Sequence, residues 1–269
     1  IRYAGAKPVI IDTLSANEFK ITPDQISSAM TANTRAIIIN SPSNPTGSAY
    51  SKKELEGIAE CALSNKLLIV SDEIYEKVVF DGFEQHSICS IGKEVQNNSI
   101  LINGVSKSYA MTGWRIGYLA GDANLVKAIS KLQGQSTSCP NSIAQFAAME
   151  ALSGDQKCVD EMKQIFHERR DLILKELKKI PKILCEVPNG AFYVFPNFKN
   201  YLNKKTQSGK LIKTSSDLSL YILDQTGVVT VAGDSFGAPG HIRLSYATSN
   251  ETISKAVSLI GDTLKRIDF

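Results

Sequence analysis

No apolar run in the 269 residues approaches the length that spans a bilayer, and no block of like charge interrupts the chain: 30 Lys+Arg stand against 27 Asp+Glu, interspersed throughout. The first absence excludes a membrane-spanning helix, and the second excludes a charge-driven grip on nucleic acid or anionic lipid. The five cysteines (Cys61, Cys89, Cys139, Cys158 and Cys185) are widely spaced and odd in number. With no Cys-x-x-Cys pair and no histidine nearby, they make no zinc set, and they read as inert thiols in a reducing compartment; no metal is expected. The triplets Asn97-Asn98-Ser99 and Asn250-Glu251-Thr252 fit the glycosylation pattern, which any chain of this size meets by chance. Internal repeats and low-complexity segments are missing too. There is no initiator Met, and Ile1-Arg2-Tyr3-Ala4-Gly5-Ala6-Lys7-Pro8 resembles neither a signal nor a transit peptide. The chain runs at once into the strand-like Pro8-Val9-Ile10-Ile11, so an N-terminal portion is expected to be missing.

What is present suits a globular enzyme: 43% hydrophobic and 21% charged residues supply a sizeable core and a mixed surface. Through the first half, short β-branched runs (Val9-Ile11, Ala36-Asn40, Leu67-Ser71, Ile100-Val105) alternate with helical patterns, the signature of βαβ units and a mostly parallel sheet. One helix start is well marked. Ser51 can cap it, Glu54 stands at the capping-box position, and Leu55, Ile58, Ala59 and Ala62 form its inner stripe. From about Asp155 to Lys179 a long amphipathic helix is expected, with Met162, Ile165, Phe166, Ile173, Leu174 and Leu177 inward and Pro181 as its stop. It marks a boundary between a larger domain, residues 1–160, and a smaller one, 161–269. The smaller domain reads as α+β: strands at Ile183-Val187, Ala191-Phe195, Val228-Val231 and Ile242-Ser245, and helices at Asp217-Gln225 and Glu251-Ile267. The polar stretch Asn203-Ser216 reads as a solvated loop rather than a lid.

Open α/β sheets hold ligands outside the carboxyl ends of their strands, so the residues placed there carry the chemistry. After Ala36-Ile39 comes Asn40-Ser41-Pro42-Ser43-Asn44-Pro45-Thr46-Gly47, whose prolines fix the backbone around the Asn44 amide. The strand Leu67-Ser71 ends in Asp72-Glu73, with Tyr75 one turn on. A carboxylate in such a crevice is costly unless it faces a cation or a protonated ring nitrogen, or caps a helix. A magnesium site would also suit Asp-Glu, but it needs a Gly-x-x-x-x-Gly-Lys-Ser/Thr loop that the chain lacks. The strand Ile100-Val105 leads to Ser106 and Lys107, an amine expected to lose part of its preference for charge among small and apolar neighbours. Arg115 offers a forked donor suited to phosphate, and Ser106 a further hydrogen bond. Near the end, Arg243 alternates with apolar neighbours in Ile242-Arg243-Leu244, so it needs an anion, either a structural acid or a ligand carboxylate.

Together, Asn44-Pro45-Thr46-Gly47, Ser71-Asp72-Glu73-Ile74-Tyr75, Ser106-Lys107 followed by Met111-Thr112-Gly113-Trp114-Arg115-Ile116-Gly117-Tyr118, and Ile242-Arg243-Leu244-Ser245-Tyr246-Ala247 resemble the class I aminotransferases in order and spacing. The resemblance covers essentially the whole chain. It implies an α/β fold with a three-layer, mostly parallel sheet of the pyridoxal-phosphate-transferase type, here incomplete, plus a smaller α+β C-terminal domain. By the same resemblance Lys107 holds pyridoxal 5'-phosphate covalently and moves the proton at the substrate α-carbon, and Asp72 pairs with the pyridinium nitrogen. Tyr75 and Asn44 hydrogen-bond the phenolic oxygen, Ser106 and Arg115 bind the phosphate, and Arg243 with Asn44 binds the substrate carboxylate.

Within the family, Ser41 to Gly47 and Val231 to Gly237 look most like prokaryotic-type aspartate aminotransferases, including those that also accept prephenate. The implied reaction is transamination between an amino acid, aspartate or glutamate foremost, and a 2-oxo acid. The implied assembly is a homodimer, and the implied location is the cytoplasm, or a plastid or other organelle if a transit peptide precedes the chain. Another pyridoxal-phosphate enzyme of this fold, or a catalytically silent relative, are the alternatives. Gly104 stands where some relatives carry a further phosphate-binding serine, and Ala232-Gly233-Asp234 departs from the commoner Pro-Gly wording. The 269-residue chain by itself is expected to be inactive and its complete protein active.

Overall fold

The computed structural model describes residues 1–267, which divide into two compact units. The first comprises Ile1–Pro42 and Ser48–Asp160, the second Ser43–Gly47 and Glu161 onward.

In the first unit, α1 (Pro23–Ala29) precedes β1 (Ala36–Asn40), α2 (Lys52–Ser64) and β2 (Leu68–Asp72). A short α3 (Lys93–Asn97), β3 (Ser99–Gly104), β4 (Gly117–Ala120), α4 (Ala123–Ser136) and α5 (Ser142–Ser153) follow. The sheet order is β1-β2-β3-β4; the first three strands are parallel and β4 runs antiparallel to β3. Helix α2 begins where the sequence marks it: Ser51 Oγ accepts from the Glu54 N–H, and Glu54 accepts from the Ser51 N–H at 2.7 Å. Such a cap is worth about 1 kcal/mol. Its inner stripe, Leu55, Ile58, Ala59 and Ala62, packs with Ile39, Leu67 and Ile69 of the sheet side and with Ile26 of α1. The period of two along each strand turns Ile38 and Ile102 to the opposite face, where both are exposed.

The long helix α6 (Lys157–Leu177) spans the division between the units. In the second unit it is followed by β5 (Tyr193–Val194), the two-residue strands β6 (Lys204–Lys205) and β7 (Leu211–Ile212), α7 (Ser215–Thr226), β8 (Val231–Ala232), β9 (Ile242–Ser245) and α8 (Asn250–Leu264). An antiparallel sheet of order β5-β9-β8 pairs Tyr193 with Ser245 and Val231 with Arg243. Leu218 and Ile222 of α7 and Ile253, Val257, Ile260 and Leu264 of α8 are buried, which gives this unit a core of its own.

Several sequence expectations need correction. Val9-Ile11 forms no strand: Val9 and Ile10 are exposed, and only Ile11 leans on the α2 core, because three β-branched residues without a pairing partner do not hold a ladder. Ile183-Val187 is irregular apart from a single bridge between Leu184 and Asn197. The polar stretch Asn203-Ser216 holds the small β6-β7 hairpin, with Gly209 at φ 80. In α6, Ile165 points outward and Arg170 inward, since Arg170 has a carboxylate and a carbonyl to satisfy it there. Helices α1, α3, α4 and α5 and the antiparallel β4 are additions to the sequence reading. None of the helices among the described residues is long and apolar enough to cross a membrane.

Candidate functional site

In the first unit the predicted residues gather at the carboxyl ends of β2 and β3. Asn40, Asp72 and Ile102 lie side by side in the register of the three parallel strands. The Asp72 carbonyl accepts from the Asn40 side-chain amide and from the Ser41 N–H, both at 3.1 Å, and the Glu73 N–H donates to Ile102 O at 2.9 Å. The strand end is therefore fixed from both sides. Asp72 Oδ1 accepts from the Ile74 N–H at 3.2 Å, which turns the chain so that Tyr75 becomes buried. Lys107 follows β3 through Val105, which is fully buried, and its Nζ stands 5.9 Å from the Tyr75 ring centroid. Ser106 and Lys107 are half-buried.

Glu73 points away from this group. It is buried, its Oε1 accepts from the Ser71 and Ser87 hydroxyls at 2.7 Å each, and burial pushes its carboxyl above the usual range against those two donors. Of the adjacent acids Asp72 and Glu73, one is thus committed to the fold and the other is more accessible.

Arg115 sits just before β4 in the left-handed region, at φ 57, where β-branched residues are strained. Its guanidinium donates to Thr112 O at 3.0 Å, and it lines a cavity of about 540 Å³ together with Trp114, Asn141 and Ala144. No acidic side chain pairs with it among the described residues.

In the second unit the structure brings Asn44 and Arg243 together. The Arg243 guanidinium donates from Nη1 to Asn44 Oδ1 at 2.6 Å, and its Cζ lies 4.6 Å from the Tyr193 ring centroid and 5.3 Å from that of Phe236. The sequence left open whether this arginine answers a structural acid or a ligand. Among the described residues no acid pairs with it; its neighbours are a neutral amide and two rings. Asn44 itself is held by its loop, for Gly47 O accepts from the Gly190 N–H at 2.8 Å.

Tyr193 and Phe236 were not singled out from the sequence. They lie in the continuous apolar run Phe192-Tyr193-Val194-Phe195 and in a 3-10 turn, Gly233–Phe236, and spacing does not show that either meets Arg243. No group of His, Cys, Asp and Glu able to hold a metal ion occurs among the described residues.

The family model for aminotransferase class I and II matches residues 1–260. This chain belongs to that family. It is 45% identical over 260 residues to an aspartate aminotransferase of Geobacillus stearothermophilus, covering 97% of this chain and 65% of that protein. An aspartate/prephenate aminotransferase of Cereibacter sphaeroides is 41% identical over 258 residues, covering 96% of this chain and 64% of the relative. Among solved structures, the aspartate aminotransferase of Rhizobium meliloti superposes with a TM-score of 0.94 at 40% identity, over 97% of this chain and 66% of that one. The chain therefore has the α/β fold of these aminotransferases over the part it shares, and it spans about 65% of the length of the curated relatives it matches.

Proposed function

We propose that the protein containing this chain exchanges an amino group between an amino acid, aspartate or glutamate foremost, and a 2-oxo acid, with pyridoxal 5'-phosphate as cofactor. The observation that carries the reading is the Arg243 guanidinium, fixed by Asn44 and two aromatic rings and left without an acidic partner among the described residues. A half-buried cation so placed is a receptor for a carboxylate supplied from outside.

The residues present fit the cofactor by their chemistry. A carboxylate, Asp72, ends one strand, and an amine, Lys107, follows the next, with a buried phenol, Tyr75, beside it. Arg115, a guanidinium with no acidic partner among the described residues, and Ser106, a half-buried hydroxyl, supply donors for a phosphate. When bound, pyridoxal phosphate supplies a carbonyl that takes up the amino group and an electron-poor ring that takes up charge from the α-carbon. Asp72 would keep a proton on the ring nitrogen, Tyr75 would donate to the phenolic oxygen, as the family resemblance also implies for Asn44, and Ser106 and Arg115 would hold the phosphate. Lys107 would hold the cofactor covalently and, once the incoming amino group displaces it, its freed amine would carry the proton to and from the substrate α-carbon. Arg243, kept in orientation by Asn44, grips the α-carboxylate. The partners are small amino and oxo acids, and the family resemblance supports a homodimer, with a cytoplasmic or organellar location.

The test is an absorbance spectrum of the complete protein with pyridoxal phosphate, before and after aspartate, beside Lys107→Ala. A visible band that aspartate displaces in the parent but not in the variant is expected. A parent with no such band would remove Lys107 as the anchor and leave the reading of a silent relative.

A further inference from the structure

We propose that Tyr193 and Phe236 are positioning residues for the carboxylate receptor, their rings setting the plane of the Arg243 guanidinium; this rests on the reading of Arg243 as that receptor. Tyr193 pairs with Ser245 across β5 and β9, so Arg243, two residues earlier on β9, is its diagonal neighbour on the same face. The Arg243 Cζ is 4.6 Å from the ring centroid, within the range of a cation–π contact, and Tyr193 is buried, so its ring has little freedom to leave. Phe236 comes from a different element, and that element is tied to the same strand. The Gly233 N–H donates to His241 O at 2.8 Å, two residues before Arg243, and the Ala238 N–H donates back to Gly233 O at 2.9 Å. Asp234, in the same turn, accepts from the Ser216 N–H at 2.8 Å. A side chain on Gly233 would collide with the carbonyls of Ala238 and His241, so the turn has one close-packed path and delivers Phe236 to 5.3 Å from the Arg243 Cζ.

An arginine has enough rotamer freedom that a single hydrogen bond to Asn44 leaves its plane undetermined. Two rings and one amide define that plane while, among the described residues, taking up only one of its N–H groups, Nη1 to Asn44. The remaining in-plane donors present the fork that a carboxylate engages through both oxygens. Removing a ring should therefore weaken carboxylate binding without altering the groups that handle the proton.

The complete protein loaded with pyridoxal phosphate is compared with Tyr193→Leu, Phe236→Leu, Tyr193→Phe, Phe236→Tyr and Arg243→Ala. Calorimetric titration with maleate, a dicarboxylate without an amino group, reads binding apart from turnover, and steady-state kinetics read KM against kcat. Each leucine variant should raise the maleate Kd and the amino-acid KM about three- to thirtyfold, with kcat within about twofold and the cofactor spectrum unchanged. The two ring-preserving variants should bind as the parent does. Leucine variants that bind maleate like the parent, or a Tyr193→Phe that loses as much as Tyr193→Leu, would overturn the inference. Phe236 is half-buried rather than buried, so Phe236→Leu keeps the test open if Tyr193→Leu does not fold. Arg243→Ala separates the two layers. Maleate binding unchanged in that variant removes the receptor reading itself, whereas its loss beside parent-like leucine variants removes only the role of the rings.

Discussion

Asn44 and Arg243 stand 199 positions apart in the chain, and their side chains meet in a 2.6 Å hydrogen bond. The amide accepts with its oxygen, so it satisfies one donor of the guanidinium without neutralising it. Asn44→Ala should leave the cation in place with its orientation loosened. A lost hydrogen bond to a charged group is worth about 1.5–3 kcal/mol, so on the proposed function kcat/KM for the amino acid should fall by at least about tenfold, with KM raised. Asn44→Asp would instead give Arg243 an internal anion, and carboxylate binding should be weaker still. Parallel kinetics on both variants check the order; an Asn44→Asp enzyme with parent KM would sink the argument.

Gly47 closes the same loop at φ 70, and a Cβ there would collide with Pro188 Cβ and approach Gly190 O to 2.6 Å. Both obstacles are close-packed and one is backbone, so Gly47→Ala is strained in conformation as well as in space. The expected cost is about 2–4 kcal/mol, read as a lowered urea midpoint at unchanged slope. A variant as stable as the parent would show that the loop can move aside.

These two positions show what the sequence could and could not convey. Asn44-Pro45-Thr46-Gly47 is readable as a rigid turn because proline and glycine restrict or demand particular backbone angles locally. Helix α2 is readable for the same reason, since its cap, capping box and inner stripe lie within a dozen residues. The contact between Asn44 and Arg243, and the rings of Tyr193 and Phe236, depend on strand pairing between distant segments. No local period encodes that. Local pattern misleads where partners decide the outcome: Val9-Ile11 has strand-forming residues and no ladder, and Arg170 lies on a face that periodicity gives to apolar side chains. Glu73 was legible only as the neighbour of Asp72, because the Ser71 and Ser87 hydroxyls that occupy it come from two directions.

Glu73 gives the fold a pH dependence whose sign follows from its burial. Burial is the largest influence on its carboxyl and raises the folded-state pKa above the ordinary value of 4.5, with the Ser87 and Ser71 hydroxyls pulling the other way. The protonated acid is favoured in the folded state. Its contribution is therefore fully present below about pH 4.5 and is lost as the pH rises through the folded-state value. Glu73→Gln, which keeps the acceptor oxygen for the two hydroxyls, should remove this component. Urea midpoints from pH 4 upward, measured on parent and variant, test it: the parent should lose stability relative to Glu73→Gln as pH rises, and identical profiles would exclude Glu73 as the source.

By the family resemblance Gly104 stands where some aminotransferases carry a serine, and the structure gives a reason for the glycine. It faces Gly117 across the antiparallel pair of β3 and β4. A Cβ at residue 104 would lie 2.9 Å from Ile116 O, 3.1 Å from Gly117 Cα and 3.2 Å from Ile74 Cδ1. Two of these are backbone atoms, one in β4 and one immediately before it, so relief requires β4 to move away from β3. Gly104→Ser, although it adds a hydroxyl, should therefore cost about 1–3 kcal/mol of stability and give no tighter cofactor binding. The paired substitution cannot be balanced by trimming Gly117, which has no side chain to lose. Thermal unfolding of the variant, together with a titration by pyridoxal phosphate, separates the two effects. A Gly104→Ser protein that is as stable as the parent and binds the cofactor more tightly would mean that β3 and β4 yield at this point, and that the serine was absent for a reason other than space.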